Sequence, residues 1–296
     1  MKKVLFATTA LVASTGFASA QVAVSGSAEM GVNDTGAAGA VLQFFQDIDV
    51  TFSMSGETDG GLSFGAAVDL DESTGSAALG DTTDDGGVAI FISGDFGTLT
   101  MGDTDGAMDW ALAEPNAAGD PGSIDDAETS YSGYSGAYLD GSYDGQIVRY
   151  DNTFGDFAFA VSVEADETGV ADTGFAIGGR FSVADLTIGL GYQEESMGVA
   201  RDLVGASISW ASNGFSVAAN YASGSSGAMD MSIAGLGLGY AMDAWSAHIN
   251  FMETEVGAVK LGGAGLAIGY NLGGGASLLF GANDEGQYSF GLSMGF

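Results

Sequence analysis

The chain has 296 residues, no cysteine, one histidine, and six Lys and Arg against 39 Asp and Glu, a formal charge of -33 at neutral pH. That balance excludes nucleic acid as a partner, since a polyanion would be repelled and there is no basic stripe to release counterions, and the lack of cysteine excludes disulfides and thiolate metal sites. With 46% hydrophobic residues spread along its whole length, the chain is not disordered despite its charge. Met1-Lys2-Lys3 is a charged start, Val4 opens a short apolar run, and Ala18-Ser19-Ala20 is an A-x-A cleavage site. Residues 1–20 therefore read as a secretory signal peptide and Gln21 as the mature terminus. Arg149, Arg180, Arg201 and Lys260 are then the only basic side chains left. Beyond residue 20 no apolar run approaches the ~18 residues of a membrane-spanning helix. Entry into a membrane would require a closed barrel, the other structure that pairs every backbone group internally.

Turn signals follow at 57–61, 94–97, 152–156, 183–185, 212–214, 242–244 and 273–275. Between them lie alternating runs: Phe157, Phe159, Val161, Val163; Leu186, Ile188, Leu190, Tyr192; Phe215, Val217, Ala219, Tyr221; Trp245, Ala247, Ile249, Phe251. The last run is the clearest, with Tyr288, Phe290, Leu292, Met294 and Phe296 separated by small or polar residues. Each run has the length of a tilted membrane-spanning strand, about nine to ten residues. The later turns fall roughly thirty residues apart, a hairpin period with short turns at one end and longer acidic loops at the other. Residues 103–144 break the period; they hold both prolines, Pro115 and Pro121, and no sustained hydrophobic pattern. A structureless stretch of that length signals function or a wrong strand assignment. Setting its excess aside leaves room for about eight hairpins, or sixteen strands, and barrels of about 16 to 18 strands enclose an aqueous channel. A soluble sandwich also alternates, but here Tyr150, Tyr192, Trp210, Tyr221, Tyr240, Trp245, Tyr270 and Tyr288 stand near strand ends, as an aromatic girdle at a lipid interface would. Two places fit poorly: Val88 to Ser93 is apolar on both faces, and the parity slip at Lys260 and Leu261 suggests a bulge.

Three marks occur in order: the run Gly94-Asp95-Phe96-Gly97-Thr98-Leu99-Thr100-Met101-Gly102-Asp103 leading into a long acidic loop, Val148-Arg149-Tyr150-Asp151 on the strand after it, and a terminal alternating strand ending in Phe296. With the hairpin period they make the whole chain resemble the general porins of Gram-negative outer membranes, most closely the Rhodobacter-type porins of alphaproteobacteria. The resemblance implies an all-β fold: a 16-stranded antiparallel transmembrane β-barrel over 21–296, with its third loop, 103–144, folded into the lumen as a constriction. It also implies a homotrimer in the outer membrane, in contact with lipid and lipopolysaccharide, passing ions and small hydrophilic solutes by diffusion with no required cofactor.

No catalytic constellation accompanies these features; His248, at lumen parity, has no second histidine and no nucleophile motif beside it, and is expected to be a wet polar residue. Arg149, Arg180 and Arg201 also take lumen parity, and a charge on the lipid face would cost about 2–4 kcal/mol. If the loop folds inward, its acids Asp103, Asp105, Asp109, Glu114, Asp120, Asp125 and Asp126 would face these arginines across the opening, creating a transverse field or simply pinning the loop. Porins of this family carry a larger basic wall cluster, so its small size here favours cations. Dense acids at Asp81, Asp84, Asp85, Asp125, Asp126 and Glu128 suit calcium or merely form a solvated rim. The alternatives are a substrate-specific channel, for which no aromatic stripe is evident, and a non-transporting structural or adhesion barrel.

Overall fold

The computed structural model describes residues 21–73, 87–124, 128–129, 147–165, 172–196 and 199–296. The expected signal peptide, 1–20, lies outside them, and the first strand begins at Gln21. Strict alternation produces strands because period two puts every apolar side chain on one face. In chain order they are β1 (Gln21–Asp34), β2 (Gln43–Glu57), β3 (Ser63–Ser73), β4 (Val88–Gly94), β5 (Gly97–Gly102), β6 (Ile147–Phe154), β7 (Phe157–Glu164), β8 (Asp172–Val183), β9 (Leu186–Ser196), β10 (Ala200–Ser212), β11 (Phe215–Ser226), β12 (Met229–Met242), β13 (Trp245–Val256), β14 (Val259–Gly273), β15 (Ala276–Asn283) and β16 (Tyr288–Gly295). Every neighbour is antiparallel, and β16 pairs with β1 from Ser27↔Gly295 to Asp34↔Tyr288, closing the barrel. The Phe296 N–H donates to the Gly26 carbonyl at 2.9 Å, so both chain ends are tied into the seam at the short-turn end.

All seven expected turns join the strand pairs at that end. Asn213 and Gly214 have φ of 52° and 83°, the two positive values that a two-residue type I′ hairpin demands. The outer face carries the apolar set: Val204, Ile208 and Trp210 on β10 are exposed, while Leu203, Gly205 and Ser207 between them are buried. Such a continuous exposed apolar surface is stable only against lipid. Aromatic pairs gather on the outer face near the turn end, Phe215 with Tyr240 at 4.5 Å and Trp245 with Tyr270 at 4.7 Å between centroids, where an interfacial girdle belongs.

Both poorly fitting places are resolved by register. On β4, Val88 and Ile90 face outward, and Phe91, opposite Gly65 on β3, fills the inner space that glycine leaves. No bulge occurs at Lys260: β14 pairs with β13 without interruption from Val256↔Val259 to Trp245↔Tyr270, and the register shift falls instead between Asn271 and Gly273 against β15. The parity slip is real in the side chains but not in the ladder. This hairpin end has overshot the apolar layer, where alternation is no longer enforced, and exposed Lys260 Nζ meets Glu253 Oε1 at 2.6 Å in water.

Candidate functional site

Between β5 and β6 the chain turns onto the inner face of the barrel as a one-turn helix α1 (Ala107–Ala111) and a 3₁₀ turn (Pro115–Ala117). Its backbone groups, unable to join a ladder, need other partners. Inward-facing polar residues supply them around the wall. The Ala107 N–H donates to Ser162 Oγ of β7 and the Ala113 N–H to Ser207 Oγ of β10, both at 2.8 Å. The Ala118 carbonyl accepts from Ser216 Oγ of β11 at 2.7 Å and from His248 Nδ1 of β13 at 3.2 Å. Asn250 Nδ2 donates to the Thr129 carbonyl at 2.7 Å. Replacing Ser162 by alanine should leave the Ala107 N–H buried without this acceptor and cost about 1–3 kcal/mol, read as a lowered midpoint of heat or urea unfolding in detergent with the barrel spectrum retained.

The inner wall beneath this segment is glycine for a steric reason. A Cβ on Gly178 would stand 2.0 Å from the Ala107 carbonyl oxygen, and one on Gly189 2.2 Å from that of Ala111. The same holds under Pro115 and Ala118 on β12, and Ile124 reaches into the gap between Gly31 and Gly291. Apolar wall residues that break the polar pattern, Ala160, Ala176, Leu203, Ala222 and Ile233, are covered by Met108 and Leu112. A small inward face read from the sequence as wet lumen is thus, over this arc, the seat of the loop. His248 differs from its expected role for the same reason: it is 1% exposed beneath Ala118, with Nε2 3.9 Å from Asp120 Oδ2.

The arginines divide. Arg149 on β6 donates from Nη1 to the main-chain carbonyl of Asp105 at 2.6 Å, and its Nε lies 3.3 Å from Asp151 Oδ1. Arg180 on β8 lies over the Trp110 ring of α1, its Cζ 3.8 Å from the centroid, and Arg149 reaches the same ring at 6.0 Å. Arg201 takes no part in this group; it pairs with Glu195 Oε1 at 3.1 Å, some six positions or roughly 20 Å further along β9 towards the loop end. Of the loop acids, Asp103 and Asp105 are exposed, Asp109 and Asp120 half-buried, and Glu114 is 4% exposed against the wall. Although Asp103 is exposed as a residue, its carboxyl is partly covered, and that partial burial, with the like charge of Asp105 adding to it, pushes it above the ordinary carboxylate range. Asp125 and Asp126 lie outside the described residues.

Inward acids that the candidate set had not placed at the pore stand on the neighbouring stretch of wall: Glu29, Asp47, Asp49 and Asp69 on β1 to β3, with Asp49 accepting from Ser27 Oγ and Asp69 from Thr51 Oγ1, each at 2.9 Å. Their parity, shared with Ser and Gly neighbours, marked them in the sequence. Trp110 carried no such sign, standing in a stretch without period. Of the residues considered for calcium, Asp81, Asp84, Asp85, Asp125 and Asp126 fall outside the described residues, and Glu128 is fully buried, accepting from Ser123 Oγ at 2.5 Å. Among the described residues no three His, Asp or Glu side chains gather as a metal would need.

A family model described as Gram-negative porin matches residues 7–287. The chain belongs to the Gram-negative porin family. A porin of Rhodobacter capsulatus is 31% identical over 183 residues, covering 59% of this chain and 56% of that relative, so the match spans little more than half of the relative's length. In overall shape the porin barrel is similar to a solved porin refined at 1.8 Å, with a TM-score of 0.76 and 24% identity over 93% of this chain and 100% of the other. It is also similar to a mutant of the Rhodopseudomonas blastica porin, with a TM-score of 0.68 and 16% identity over the same shares. At these identities the solved structures speak for the fold, and the family is one of non-enzymatic channels.

Proposed function

We propose that this porin forms a water-filled channel across the outer membrane of a Gram-negative bacterium, through which ions and small hydrophilic solutes diffuse, and that cations are favoured. The observation that supports it is a closed barrel, apolar outside and polar inside, whose inner wall carries a loop segment and a small basic group facing many acids. Sixteen strands are wide enough to hold both a folded segment and water. Within that channel the basic wall is Arg149 and Arg180, with Arg201 at the outer mouth. The lumen carboxylates beside them come from the loop's exposed Asp103 and Asp105 and, further round the wall, from the half-buried Glu29, Asp49 and Asp69. Opposed charges of this kind order water and slow apolar solutes, and the excess of acid sets the preference for cations. The working unit is a homotrimer, its loops facing lipopolysaccharide, and calcium bridges acids of the outer loops.

Purified protein in planar bilayers tests this. Ohmic steps arriving in threes, with a zero-current potential of cationic sign in a salt gradient, are expected. Steps blocked by one solute would instead mean a specific channel, an anionic sign would sink the selectivity, and silence would leave a structural barrel. Oligomers that melt identically with and without a chelator would remove calcium.

A further inference from the structure

Trp110 is the one large aromatic side chain of α1, and it has two kinds of neighbour. It packs against the buried cluster that includes Met108, Leu112, Ala176 and Leu203. Its ring also carries the Arg180 guanidinium, Cζ 3.8 Å from the centroid, with Arg149 further out at 6.0 Å. An arginine within about 6 Å of an indole face is attracted by the ring's quadrupole, and more strongly where water is partly excluded. Among the described residues no carboxylate lies within ion-pair distance of Arg180, although Asp151 and Asp105 attract it and Arg149 repels it. Arg180 is therefore parked on a neutral surface rather than neutralised. The wall allows this because its cross-strand partners are Ala158 and Gly189, too small to crowd the guanidinium.

We infer that Trp110 is a selectivity-determining positioning residue: its indole face keeps Arg180 off the neighbouring carboxylates, so that a full positive charge stays directed at the lumen. This rests on the channel function proposed above. Without the ring, Arg180 swings to Asp151 or Asp105, its charge is cancelled locally, and the pore becomes more cation-preferring although no charged residue has been changed. Planarity matters as well as charge, because a guanidinium stacks on an aromatic face and an ammonium does so far less well.

The experiment compares zero-current potentials of four variants in bilayers under one salt gradient, after heat-modified mobility confirms that each barrel is folded. Trp110→Leu keeps an apolar side chain against the cluster but has no π face; Trp110→Phe keeps one. Trp110→Leu should shift the potential in the cationic direction, by at least half the shift of Arg180→Gln. Trp110→Phe should stay near the unmodified protein, and the double variant Trp110→Leu/Arg180→Gln should move no further than Arg180→Gln alone. A conducting Trp110→Leu channel with unshifted potential overturns the inference, as does a double variant whose shift is the sum of the two. Failure of the unmodified protein to conduct would strike the channel function itself, so the two failures are distinguishable.

Discussion

Replacing Gly237 and Gly239 of β12 by valine is expected to lift the loop segment off the wall while leaving the barrel closed. A Cβ at Gly237 would stand 1.9 Å from the Pro115 carbonyl oxygen, and one at Gly239 1.8 Å from that of Ala118. Both are backbone atoms, that of Ala118 held by Ser216 and His248 and that of Pro115 by the Ala118 N–H, so no side chain can swing aside to make room. The strands lose nothing: both glycines point inward, their ladders to β11 and β13 run through the backbone, and valine suits a strand better than glycine does. The penalty, about 1–3 kcal/mol per overpacked site, falls on the loop. It should appear as noisy, closing single-channel steps and as new protease cleavage between residues 107 and 124, with heat-modified mobility retained. Ala206→Val, on the lipid face of β10, serves as control and should change neither. Quiet steps of unaltered size in the Gly237→Val/Gly239→Val barrel would show that the segment's seat on the wall does not shape the pore.

Neutralising Arg149 and Arg180 together should move selectivity most. Few basic side chains face this lumen, so their removal cannot be absorbed by neighbours. For an ion passing at about 4 Å, each charge contributes on the order of 1 kcal/mol in a water-like dielectric, which makes the combined change in the cation-to-anion permeability ratio severalfold or more. The Debye length shrinks to about 3 Å at 1 M salt, so the shift should be large in dilute gradients and small in concentrated ones. Arg201→Gln separates position from charge. That arginine pairs with Glu195, whose side chain is 1% exposed, so its loss should destabilise the mouth of β9 and β10 and hardly touch selectivity. Equal shifts from all three arginines would mean that bulk charge, and not the group at Trp110, governs the pore.

Much of the fold was legible because it is written in short-range periodicity. The seven turns and the inward parity of Arg149, Arg180, Arg201 and His248 follow from period two and from turn chemistry, both local properties of the chain. Where the local rule relaxes, so did the inference: at Lys260 and Leu261 the hairpin stands clear of the apolar layer, and a parity slip there implied a bulge that the ladder does not contain. The candidate site was legible only in part. The arginines could be assigned to the lumen, but not that two share one tryptophan while the third lies along β9 with Glu195. Loop acids were expected across from them, yet Glu114 is buried against the wall and Arg149 meets the Asp105 carbonyl rather than its carboxylate.

By itself the amino-acid sequence determined a closed barrel of sixteen strands with lipid outside, because solvent imposes alternation on each strand independently and the hairpin period counts them. Only the tertiary structure decided what the inner wall is for. Ser162 meets Ala107 across 55 residues and His248 meets Ala118 across 130, and contacts between an aperiodic segment and a distant strand leave no repeating mark on either. A glycine that makes room for a carbonyl looks, in one dimension, the same as a glycine that faces water.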